Sequence, residues 1–110
     1  VAKKTFEIKY SNSFKSDLLS IHEYGTETFG IKYANLFIEE IILEAEKLSL
    51  LYLIHPECRH LITKSKKYRN IILGAYLVIY RIQPERIEVL RVFHGSKSPT
   101  SIRNSRSVKI

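Results

Sequence analysis

Two groups of side chains in this 110-residue sequence carry chemistry. Arg59, His60, Lys64, Lys66, Lys67, Tyr68 and Arg69 form one basic and aromatic group, and Tyr76, Tyr80, Arg81, Arg91 and His94 form another, with Lys97 just beyond it. Metal-free RNA cleavage needs a base near the 2′-hydroxyl, cations that hold the phosphate as charge develops, and an acid for the leaving oxygen. Lys, Arg, Tyr and His supply those roles. The same residue types suit a surface that only binds, with Lys and Arg contacting phosphates or carboxylates and tyrosines stacking or packing. No phosphate-cradling glycine loop and no nucleophile elbow occurs, and the four histidines, His22, His55, His60 and His94, lack zinc spacing. The sequence therefore calls for no metal and no cofactor. Each candidate also has a plainer role: Tyr76 and Tyr80 share a strand face with Val78 and Ile82 and fit a core. Arg81 and Arg91 fit exposed strand positions or cross-strand pairs, and Lys64–Lys67 fits a solvated cluster.

The elements that position these residues begin with the stretch 66–94. Its apolar runs KYRNIIL, YLVIYRI and RIEVLRVFH are separated by Gly74 and by Gln83-Pro84-Glu85-Arg86. Tyr76, Val78, Tyr80 and Ile82 alternate with Leu77, Ile79 and Arg81, a period of two that predicts a strand. Connections this short allow antiparallel pairing only, so the stretch is expected to be a three-stranded meander. Upstream, Lys4 to Tyr10 alternates like a half-buried fourth strand. Asn12 or Ser13 is placed to cap a helix that carries Phe14, Leu18 and Ile21 on one face and ends near Gly25 or Gly30. A second helix is expected from Ile31 to about Leu53, stopped by His55-Pro56. Its apolar stripe is widened by Leu36, Ile42, Leu43 and Leu50 beyond what one neighbour covers, and Glu39, Glu40, Glu44 and Glu46 mark its solvent side. The predicted fold is α+β, ordered β-α-α-β-β-β, a helical hairpin on one face of a twisted, largely antiparallel sheet.

Charge divides the chain. Residues 1–57 hold six lysines against nine acids, a balance of −3; residues 58–110 hold twelve Lys or Arg against two acids, a balance of +10. All seven arginines lie in the second part, which points to a polyanionic partner such as nucleic acid, a ribosome or an acidic protein segment. The length and the hydrophobic fraction of 45% predict one domain over 1–95. Residues 96–110, basic, serine-rich and poor in apolar groups, are expected to be a mobile tail. No apolar run is long enough for a membrane helix, and a lone Cys58 fits a reducing compartment, so a cytoplasmic protein is expected.

The order strand, helix, long helix, proline turn and meander, together with YRNIILGAYLVIYRIQPERIEVLRVFHGSKSP, resembles the RelE/ParE superfamily of toxins from bacterial type II toxin–antitoxin modules, which include plasmid stabilization systems. The resemblance runs to about Pro99 and implies a small α+β toxin neutralised by a cognate antitoxin. RelE-like members cut mRNA in the ribosomal A site; ParE-like members poison DNA gyrase. A RelE-like nuclease here would rely on Arg69, Arg91 and His94. Leu77 stands three residues before Tyr80, where one nuclease arrangement has an arginine, and Gly95 rather than an aromatic follows His94. The resemblance therefore leans to a gyrase inhibitor with a ParD-like antitoxin, the alternatives being a ribosome-dependent endoribonuclease and a non-toxic basic binding module. On any of these readings Arg59, Lys64, Lys66, Lys67, Arg69, Arg81, Arg91, His94 and Lys97 are the expected contacts to target or nucleic acid.

Overall fold

A computed structural model describes residues 5–110. It contains β1 (Glu7–Tyr10), α1 (Asn12–Phe29), α2 (Ile31–Glu46), α3 (Leu48–Leu51), β2 (Tyr68–Leu73), β3 (Tyr76–Ile82), β4 (Arg86–His94) and α4 (Pro99–Arg103), followed by a 3-10 turn over Asn104–Ser107. Lys4, the expected start of the first strand, lies outside the described residues. The meander is present as predicted, and β1 joins its far edge to give the order β1-β4-β3-β2, with β1 parallel to β4. A parallel neighbour needs a long crossover, which the helical hairpin supplies. Leu90 is skipped where β4 runs beside Ile79 and Tyr80, so β4 bulges there.

The bulge is tied to the start of α1. Ser11, not Asn12 or Ser13, caps that helix, because its extended backbone (φ −74°, ψ 158°) lets the hydroxyl oxygen accept from Phe14 N at 2.9 Å. The same hydroxyl donates to the Leu90 carbonyl at 2.6 Å, while Ser11 N–H donates to Val89 O. One buried serine thus caps a helix and satisfies an irregular strand. At the other end Gly30, at φ 96°, turns the chain into α2, and Gly25 brings the two helices together: a Cβ there would lie 3.3 Å from that of Ala34.

The second helix ends before the expected Leu53. Its carbonyls beyond α3 are taken by the sheet: Tyr80 Oη donates to Tyr52 O at 2.6 Å, and Arg69 Nη1 donates to Leu53 O and His55 O at 3.1 and 3.0 Å. These long-range donors replace the helical ones, so the chain unwinds ahead of Pro56.

Each sheet face is buried. Toward the helices, Phe14, Ile41, Ala45 and Leu48 pack on Ile71, Val78, Tyr80, Ile87, Val89 and Val92. The opposite face carries a second cluster of Cys58, Leu61, Tyr68, Ile79, Leu90, Phe93 and Ile102, with Val108 against it. Residues 99–108, read from sequence as a mobile tail, are thus folded onto this face. Apolar Ile102 and Val108 find an apolar bed there, and Ser98 caps α4 through Ser101 N.

Candidate functional site

Arg81 and Glu88 sit directly opposite one another on β3 and β4, on the face covered by residues 99–108. Arg81 Nε donates to Glu88 Oε1 at 2.7 Å, and its other nitrogens donate to Tyr68 Oη, Arg106 O and Val108 O. Glu88 also accepts from Gln83 and Arg86. Burial disfavours the Arg81 charge, but the hydrogen bonds to Tyr68 and Glu88 prevail and hold the guanidinium protonated. Burial alone would raise the Glu88 carboxyl; its three donors hold it below the usual range. Arg81 is 9% exposed and Glu88 2%. Arg81 is therefore a clamp on the C-terminal segment and has no surface to offer a phosphate, contrary to its place among the expected contacts.

Arg91 is engaged as well. Its Nε and Nη2 donate to the two carboxylate oxygens of Asp17 on α1 at 2.7 and 2.9 Å, and Val92 N–H donates to Asp17 Oδ2. This fork holds Arg91 charged and binds α1 to the bulged strand. Arg69 spends its guanidinium on the carbonyls of Leu53, His55 and Lys66. His94 is exposed, accepts Ser96 N–H at Nδ1, and stands edge-on to Tyr76 at 5.5 Å.

Arg91 and His94 line one depression together with Lys97, and Arg69 stands apart from them. Arg69 is opposite Tyr80 and His94 is opposite Tyr76, on either side of β3. Four residues of strand separate their levels, about 13 Å at roughly 3.3 Å per residue. Leu77, at the position of the missing arginine, lies between Ile72 and Phe93 in the register.

The remaining expected contacts lie at the surface. Arg59, Lys64, Lys66 and Lys97 are exposed and Lys67 half-buried; Lys64, Lys66 and Lys67 lie in the turn before β2, where Lys66 has φ 55°. Lys67 Nζ stands 5.6 Å from the ring centre of Tyr68. Burial pushes the Cys58 thiol up and makes it a packing group. Among the described residues no cluster of three His, Cys, Asp or Glu side chains could hold a metal, and no helix is long and apolar enough to cross a membrane.

Two apolar surfaces remain open. Leu36, Leu43 and Leu50 recur every seventh residue along α2 and α3 and stay half or more exposed, with Leu53 and Ile54 beyond them. The sequence signalled this surface by the excess width of its apolar stripe. The second is a cavity at the junction of α1, α2 and β3, lined by Tyr24, Phe29, Tyr33, Phe37, Tyr76 and His94 among others. Sequence reasoning missed its helical half. The signal was there in Phe29, Tyr33 and Phe37, spaced four apart across the glycine between the helices.

A family model described as the ParE toxin of the type II toxin–antitoxin system, parDE, matches residues 8–99. Among solved structures, the chromosomal ParDE toxin–antitoxin system from P. aeruginosa has a chain similar to this one, with a TM-score of 0.68 at 15% identity. That match covers 83% of this chain and 97% of the other. The toxin–antitoxin complex RelBE2 from Mycobacterium tuberculosis contributes another, with a TM-score of 0.57 at 17% identity, covering 82% and 98%. No curated protein matches the sequence.

Proposed function

The chain belongs to the ParE toxin family of type II toxin–antitoxin systems, and from that premise we propose that it inhibits DNA gyrase and is held inactive by a cognate, ParD-like antitoxin. What favours gyrase over mRNA as the target is the separation of Arg69 from Arg91 and His94, which share one depression. Arg69 and Arg91 are committed to internal partners, and Arg69 and His94 are about 13 Å apart along the sheet. Phosphodiester cleavage needs its base, acid and phosphate clamp around one reacting centre. A protein that blocks another enzyme needs a shaped surface instead, and the exposed cations of 59–67 with Lys97 provide a charged one.

The antitoxin reading is supported by the uncovered leucines of α2 and α3 beside an excess of positive charge in the second half of the chain. An amphipathic antitoxin helix covers the leucines, and acids elsewhere in the antitoxin meet the lysines. Purified protein is expected to stop gyrase supercoiling or trap cleaved DNA, and pre-incubation with the antitoxin to restore activity. Unimpaired supercoiling at a large excess of this protein would overturn the proposal.

A further inference from the structure

The aromatic cavity has the construction of a cation receptor. Tyr24 comes from α1, Phe29, Tyr33 and Phe37 from the hairpin junction and α2, Tyr76 from β3, and together with His94 they line about 320 Å³. Their rings form walls at different angles and not one stack: Phe29 and Tyr33 are 4.8 Å apart and tilted by 46°, Phe37 and Tyr76 5.2 Å apart and tilted by 58°. Ring faces carry the negative end of the aromatic quadrupole and attract cations. Nothing in the described chain uses them so. Its own cation–ring contacts fall on Tyr68 and Phe93, and Lys97 and the Asp17-paired Arg91 line the neighbouring depression beyond His94.

Tyr24, Phe29 and Tyr33 are 58%, 60% and 52% exposed, an unusual cost in water for three neighbouring rings. Glu23 and Glu27 are exposed on α1 on either side of Tyr24 in sequence and have no ion-pair partner among the described residues. Burial, and then the nearby hydroxyls of Tyr24 and Tyr33, push the Tyr76 phenol up, and the three phenol oxygens can accept hydrogen bonds.

We infer that this cavity is a receptor for an arginine side chain presented by a partner protein. A guanidinium stacks flat on a ring face while its edge N–H groups donate to phenol oxygens, which a compact or fully methylated ammonium does less completely. The inference rests on the cavity alone and holds whether or not gyrase is the target.

A blocked Ala-Arg-Ala peptide, titrated into the protein while the tyrosine ring signals are followed by NMR, tests it. Saturable shifts of Tyr24, Tyr33 and Tyr76 are expected. The citrulline peptide, equal in shape but neutral, should bind at least about threefold more weakly, and Tyr33→Leu or Tyr24→Leu should weaken the arginine peptide by at least about threefold. Tyr33→Phe, which keeps the ring, should lose less than Tyr33→Leu. Each substituted side chain is largely exposed, so an unchanged backbone amide spectrum confirms the fold. No saturable shift, equal binding of the citrulline peptide, or tighter binding of choline would each overturn the proposal, the last by marking a site for small quaternary amines.

Discussion

Replacing Arg81 with methionine removes one partner of a buried ion pair and unfastens the C-terminal segment. Breaking such a pair by one side costs about 3–5 kcal/mol, because the remaining charge is left buried. Glu88 keeps its donors Gln83 and Arg86 here, which puts the cost near the lower limit, about 3 kcal/mol. Chemical denaturation should show that loss, and melting should fall by on the order of 10–20 °C. The effect should be local as well as global. Arg106 O and Val108 O lose their charged donor, whereas Ile102 and Val108 keep their apolar contacts, so residues 99–108 should stay docked but open more often. Amide exchange at Ile102 and Val108, whose N–H groups bond within the segment, should accelerate about tenfold or more as bonds to a charged group are lost. Substituting Glu88 by leucine in the same protein removes the orphaned charge, so the double variant should be more stable than Arg81→Met alone. A loss under about 1 kcal/mol with unchanged exchange at 99–108, or a double variant whose loss equals the sum of the single ones, would refute the clamp.

Other consequences follow from the same contacts. Because Glu88 is held below its ordinary carboxyl value when folded, its contribution to stability is complete above the unfolded value of about 4.3 and disappears as pH falls through the lower folded value. Denaturation midpoints measured across that acid range should therefore fall less steeply for Glu88→Gln than for the parent. Asp17→Asn should cost about 1.5–3 kcal/mol, since it weakens a bidentate arginine pair and a backbone bond between α1 and the bulged strand; urea denaturation checks this. Association with the antitoxin, followed by stopped flow, should slow markedly with added salt and on charge reversal at Lys66 and Lys67 while dissociation changes little; an association rate indifferent to salt would remove the electrostatic part of that proposal.

The sheet was legible in the sequence because its signals are local. The alternation from Tyr76 to Ile82 and the breaks at Gly74 and Pro84 lie within a few residues of the strands they define. The misplaced boundaries were decided by partners distant in sequence. Ser11 takes the cap because the Leu90 carbonyl, left free by a bulge, receives its hydroxyl proton, and Tyr52, Leu53 and His55 leave the helical pattern because Tyr80 and Arg69 bond their carbonyls. The C-terminal segment is the sharpest case. Its composition carries too few apolar groups to fold alone, yet Ile102 and Val108 suffice once the second sheet face offers a bed and Arg81 offers donors. Arg81 and Arg91 could be read as candidates from their type, whereas their engagement with Glu88 and Asp17 depends on contacts no local pattern encodes.

The most direct measurement places one preparation of the protein on both substrates, gyrase with relaxed plasmid and ribosomes programmed with a defined mRNA. The account predicts loss of supercoiling at protein concentrations that leave the mRNA full-length by primer extension. Cleavage at the A-site codon with supercoiling intact, abolished by His94→Ala, Arg69→Ala or Arg91→Ala, would contradict it and return those three residues to catalysis.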